Sequence, residues 1–288
     1  ARIPALTACP EELFDLLADD VPPWWSHDGL SPDASSTAVW SKRTPLHALV
    51  LTKNNLAALD ERIARFDALH RLDVRENRLS TLPSTFDQLV HLTTLHLSQN
   101  AFTKIPTCIL ALPALTTLDL SHNQLETLWT PDDVGTRGVS PPNILPSLST
   151  LDLSYNRLKT SALVPMPTSL EHLSLKHNDL QHPIPMDVLY PAKRLQELVL
   201  AENELSDVVF ALNGTSFALP HLRVLDVRAT QVASLAHLES HFASAPSLSL
   251  SEAKDKTRSP VHAPAHESPA CTPHQLVRVS NIPAPVSY

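Results

Sequence analysis

The chain has 288 residues, 43% of them hydrophobic, which is enough apolar material for a sizeable core in one large domain or two small ones. A formal charge of -8 gives no general attraction for nucleic acid or anionic lipid, and 4 glycines against 26 prolines argue against phosphate-cradling loops. Three widely separated cysteines, Cys9, Cys108 and Cys271, argue against a disulfide framework or a CxxC metal site and favour a reducing compartment, while no run approaches the ~20 apolar residues of a membrane span.

In chain order, the first predicted element is a helix in "CPEELFDLLADDV", with proline and two glutamates in its first turn and Leu13, Leu16 and Leu17 on one face. It belongs to an N-terminal cap over residues 1–45. Trp24 and Trp25 follow; without basic neighbours they are expected to pack over what comes next rather than to stack nucleobases.

From Leu46 the chain repeats itself. "LHALVLTKNNL" begins at Leu46, "LHRLDVRENRL" at Leu69, "LTTLHLSQNAF" at Leu92 and "LTTLDLSHNQL" at Leu115, each 23 residues after the last. "LSTLDLSYNRL" at Leu148, "LEHLSLKHNDL" at Leu170, "LQELVLAENEL" at Leu195 and a worn "LRVLDVRATQV" at Leu222 complete a domain over 46–243. The shared pattern is LxxLxLxxNxL. Its xLxLx core predicts a short strand with alternate leucines pointing inward, so stacked copies build a parallel sheet. Asn54, Asn77, Asn100, Asn123, Asn156, Asn178 and Asn203 stand where each strand ends, and a buried amide there can bond the backbone of adjacent turns as a structural ladder. Thr230 replaces the last asparagine.

The returning halves place Leu82, Phe86 and Leu89, then Ile105, Ile109 and Leu112, at the spacing of a short helix or 3₁₀ turn behind the strand. Such a stack is an α/β solenoid, a horseshoe with its sheet on the concave side. A longer step of 33 residues after Leu115 carries "WTPDDVGTRGVSPPNILP", read as a surface loop. Residues 244–288, rich in proline, serine and alanine, are read as a disordered tail in which Ser259, Ser268 and Thr272 precede prolines and are candidate phosphorylation sites.

The pattern is the signature of leucine-rich repeats. "LHRLDVRENRLSTLPSTFDQLVHL", preceded by the tryptophan pair, resembles intracellular leucine-rich repeat proteins of the Ras-group kind. The resemblance implies a non-catalytic scaffold that binds protein, in a setting such as small-GTPase or phosphatase signalling, in the cytoplasm or alternatively the nucleus.

Outward positions form rows across the repeats. Asp73, His96, Asp119 and Asp152 share one row, so His96 should stand between two aspartates; a metal there would need a third ligand, and the recurrence of aspartate points instead to repeat geometry. Lys53, Glu76, Gln99, His122, Tyr155, His177 and Glu202 share another row, whose variety suits recognition of a protein surface. The expected partner-binding residues are Arg71, Arg75, Glu76, Arg78, His96, Gln99, His122, Tyr155, Arg157, Lys176, His177 and Glu202 on the concave face. No catalytic residue, metal or cofactor is expected, because GxxxxGK, GxSxG, HExxH and paired CxxC motifs are missing. The expectation is a monomer binding a folded protein, not nucleic acid or membrane. The alternatives are a recognition module of a larger signalling enzyme, with catalysis beyond Tyr288, and a metal-dependent hydrolase at the His96 and Asp119 row.

Overall fold

The computed structural model describes residues 6–15, 45–129, 144–181, 183–205, 210–211, 219–230, 248–252 and 275–279. Each repeat contributes one three-residue strand: β1 (Ala48–Val50), β2 (Arg71–Asp73), β3 (Thr94–His96), β4 (Thr117–Asp119), β5 (Thr150–Asp152) and β6 (His172–Ser174). After a short β7 (Ile184–Pro185) come β8 (Glu197–Val199), the short β9 (Phe210–Ala211) and β10 (Val224–Asp226). The repeat strands pair in parallel, and β7 pairs only with β9. The result is a parallel-sheet solenoid, the fold class the repeats imply.

Register follows the leucines. Leu49, Leu72, Leu95, Leu118, Leu151, Leu173, Leu198 and Leu225 stand directly opposite one another, rung upon rung. All eight are buried. A slip of one residue would turn this column out to solvent, so burial of about 1.5–3 kcal/mol per leucine fixes the pairing. Behind the strands the return runs through 3₁₀ turns at Glu61–Arg65 and Ser84–Gln88, where Ile63 and Phe86 are fully buried. Phe86, Leu89, Ile105, Ile109 and Leu112 all enter the core as the spacing predicts, with Leu82 packed against it.

The asparagines form the expected ladder. Asn123 is typical: its Nδ2 donates to the carbonyls of Leu97, Leu120 and Ser121 at 3.1, 3.0 and 3.1 Å, and its Oδ1 accepts the Phe102 N–H at 3.1 Å. Each amide thus ties its own turn to the rung before it. Thr230 keeps only the local half of the pattern, donating to the Val227 carbonyl at 2.8 Å.

The first asparagine has no earlier repeat to bond, and the N-terminal segment takes that place. Leu6 N–H donates to Asn54 Oδ1 at 3.0 Å, and Asn55 N–H donates back to the Leu6 carbonyl at 2.8 Å. Helix α1 (Glu11–Asp15) then places Phe14, buried, on Phe66 with ring centroids 6.2 Å apart. Arg62 lies over the Phe14 ring at 4.0 Å and grips Glu11 through two bonds of 2.9 Å. Leu13 is partly buried against the core; Leu16, Leu17, Trp24 and Trp25 lie outside the described residues.

Two strands extend the sheet from the stretch read as a tail. β11 (Leu248–Glu252) and β12 (Gln275–Val279) are parallel, with β12 seated between β10 and β11. "LSLSE" and "QLVRV" alternate apolar with polar residues, a strand pattern obscured by the proline and serine around them. Ser259, Ser268 and Thr272 lie outside the described residues.

Candidate functional site

The outward residues of the sheet fall into rows set by the register. In the row of Asp73, His96, Asp119 and Asp152, His96 does stand between two aspartates. Its Nδ1 is 3.6 Å from Asp119 Oδ2, inside ion-pair range but too long for a hydrogen bond, and it is buried without a hydrogen-bond partner. The aspartates are occupied locally. Asp119 accepts from Ser121 N–H and Oγ, Asp152 accepts the same pair from Ser154, and Asp226 takes the Arg228 guanidinium. This row closes the turn after the strand, which accounts for the recurrence of aspartate. Among the described residues no three side chains from His, Cys, Asp and Glu are arranged to hold a metal ion.

Asp73 is the deepest member, its side chain 3% exposed. Burial alone would raise its carboxyl, but hydrogen bonds from the Arg75 guanidinium and N–H, with the charge of Arg75, outweigh burial and hold it below the usual carboxylate range. Arg75 is therefore committed at 2.7 and 2.8 Å to its own rung, and Arg71 also leans on Asp73 at 3.8 Å. Both arginines keep exposed surface, yet neither is a free cation awaiting a partner.

The second row has a backbone property that the sequence reading missed. Lys53, Glu76, Gln99, His122, Tyr155, His177, Glu202 and Ala229 all have φ between 52° and 59°. A non-glycine residue in this left-handed region costs roughly 1–2 kcal/mol. The ladder sustains it: His122 N–H donates to the Ser154 carbonyl at 2.9 Å and Tyr155 N–H to the Lys176 carbonyl at 2.8 Å, while the next residue's amide clasps the carbonyls two and three positions back. That asparagine was the available signal, since its clasp requires the chain to reverse just before it. The seven side chains from Lys53 to Glu202 consequently stand along a corner at the end of the strands rather than on the flat sheet.

Three of them stack. His122 and Tyr155 have centroids 4.2 Å apart with planes at 7°, and Tyr155 and His177 follow at 4.7 Å and 30°. These separations match the ~4.8 Å rung spacing, so consecutive turns deliver their rings face to face. Lys176 reaches over the Tyr155 ring at 5.3 Å and pairs with Glu202 at 3.1 Å. Hydrogen bonds to Tyr155 and Glu202 push the Lys176 ammonium above its usual range, and its bond to Lys176 holds Glu202 below the usual carboxylate range. His177 adds a contact to Glu202 at 3.3 Å. At the other end Lys53 and Glu76 pair at 3.7 Å.

Of the expected binding residues, the structure brings together His122, Tyr155, Lys176, His177 and Glu202 as one patch, with Gln99 in the same corner row one rung earlier. Arg78 and Arg157 sit on the far side of the asparagine ladder, exposed, their N–H groups bonded to the Leu56 and Leu125 carbonyls. They are separate from the sheet row that holds His96.

The leucine rich repeat family model matches residues 44–102 and 67–125, where the spacing is most regular. No curated protein matches the chain. Among solved structures, a plant ice-binding protein is 27% identical with a TM-score of 0.45, over 65% of this chain and 61% of its own. Internalin C2 from Listeria monocytogenes is 21% identical with a TM-score of 0.49, over 67% and 75%. The plant peptide hormone receptor RGFR1, solved in complex with RGF2, is 22% identical with a TM-score of 0.43, over 64% and 32%. This chain thus spans less than two thirds of the ice-binding protein and about a third of the receptor.

Proposed function

We propose that this leucine-rich repeat solenoid is a non-catalytic scaffold that holds a folded protein partner against its sheet, with the corner row of rungs four to six at the centre of the contact. Leucine-rich repeat domains in general mediate protein–protein interaction. One observation carries the finer reading: the His122–Tyr155–His177 stack, in contact with Lys176 and through it Glu202, is already assembled in the chain without a partner. A pre-ordered aromatic loses little side-chain entropy on binding, and tyrosine is among the residues that dominate interface energies. The eight repeat strands at ~4.8 Å spacing span on the order of 35 Å, room for an interface near ~1,600 Å².

A cytoplasmic signalling role, close to the Ras-group proteins and in particular to leucine-rich-repeat-containing protein 40, is the narrower form of this proposal. It rests on the tryptophan pair and the first 23-residue repeats.

The test is affinity capture with the full chain, comparing wild type with the Tyr155→Ala, His122→Ala double variant. Arg75 is a poor probe, since reversing its charge would strand the buried Asp73 carboxylate. A stoichiometric partner whose affinity falls tenfold or more in the variant, at unchanged melting temperature, is the expected result. Undiminished binding of every captured protein would refute the assignment.

A further inference from the structure

At the other edge of the strands a second row has a clear structural purpose that two of its members do not serve. Thr93, Thr116 and Ser149 each donate a hydroxyl to the carbonyl one rung earlier, Thr93 to His70 at 2.9 Å, Thr116 to Thr93 at 3.0 Å and Ser149 to Thr116 at 3.1 Å. The equivalent positions in the first two rungs are His47 and His70, both exposed. Their imidazoles converge instead. The two Nδ1 atoms are 3.4 Å apart, and they lie 3.2 Å (His47) and 2.7 Å (His70) from the Ala68 carbonyl oxygen.

We propose that these three atoms are a binding site for a divalent cation of the zinc, nickel and copper class, bridging the first two rungs. Two ligands at ~2.0–2.1 Å on a tetrahedral ion stand about 3.3–3.4 Å apart, which is the separation of the two Nδ1 atoms. The two nitrogen-to-oxygen distances close a triangle small enough for one such ion to reach all three corners, with water completing its shell. Imidazole nitrogen is the donor this class of ion prefers over calcium or magnesium.

The site is also built in advance. His70 N–H donates to the His47 carbonyl at 2.9 Å, so the rung ladder fixes both α-carbons, and the His91 ring stacks behind His70 with centroids 6.2 Å apart. Two imidazoles and a main-chain oxygen make a modest site, one for stability rather than for hydrolysis: an ion bound only by the folded chain raises the stability of the rungs it joins.

The chain has 15 histidines, so the test must subtract their background. Full-length protein is titrated with zinc chloride by calorimetry, alongside His47→Gln, His70→Gln and, as a control remote from the pair, His221→Gln. Expected are one equivalent bound at least tenfold more tightly than the rest, its loss in both pair variants but not in the control, and a zinc-dependent rise in melting temperature that follows the same pattern. Nitrogen-15 spectra should show both Nδ1 atoms unprotonated and bound to zinc, with the ring protons carried on Nε2 and any excess proton released to the buffer. If the pair variants bind zinc as wild type does, or if either Nδ1 is protonated at saturating zinc, the pair is a hydrogen-bonded surface feature and the proposal is wrong.

Discussion

Replacing Asn123 by alanine removes four hydrogen bonds, and counting them at ~1 kcal/mol each would give a loss near ~4 kcal/mol. The surroundings argue for less. The Leu97 carbonyl keeps a donor in Asn100 at 3.0 Å, the Leu120 carbonyl keeps Asn156 at 3.0 Å, and the Ser121 carbonyl keeps the Gln99 N–H at 3.0 Å. Only the Phe102 N–H, on a fully buried residue, loses its partner. An orphaned buried donor costs about 1–3 kcal/mol, so Asn123→Ala should destabilise by about 2–3 kcal/mol, most of it at Phe102. The same change at Asn54 orphans the Leu6 N–H, which can turn to water, and should cost under ~1 kcal/mol. Urea unfolding followed by circular dichroism, with unchanged slopes, measures both. Equal losses at the two sites would refute the argument that burial of the orphaned donor, rather than the number of bonds, sets the cost. Asn123→Asp sharpens the test, because its second carboxylate oxygen would face three carbonyls. Its folded-state pKa should rise, so the added penalty is small below about pH 4 and grows as pH increases.

Further outcomes follow from the ion pairs. Arg75→Ala should destabilise by about 1–2 kcal/mol at neutral pH, discounted from the buried-pair range because the guanidinium is partly exposed. Since the Asp73 carboxyl is held low in the folded state, the contribution it makes with Arg75 is present above about pH 4 and lost as pH falls through the folded value, so wild type and variant should converge in acid. Arg62→Ala should speed amide exchange at Leu6 and Asn55 without altering the central rungs; in wild type, high salt should do the same in milder form, because the Glu11 pair is exposed.

The eight strands, their register and the inward leucines were legible in the sequence because LxxLxL combines a period of two with a fixed repeat length. The asparagine ladder was legible for the same reason, as was the position of His96 between two aspartates. Backbone conformation was harder to read: nothing in lysine, glutamate, glutamine or tyrosine announces φ near 55°, and only the asparagine that follows each of them signals the reversal that makes the variable row a corner rather than part of the sheet. The pattern also hid side-chain commitments. Arg75 looked like an available contact residue until its neighbour Asp73 proved to be buried and dependent on it. Leu6 gave no sign of standing in for a missing rung, because its part is played by main-chain atoms that any residue except proline would supply.

Hydroxyl-radical footprinting of the full chain, free and bound to its captured partner, tests the binding account most directly. Strong protection of Tyr155, His122 and His177 on binding, with Tyr190 on the returning half of its repeat labelled as before, is the result expected. Protection of Tyr190 with Tyr155 labelled undiminished would contradict it and move the interface to the other side of the solenoid.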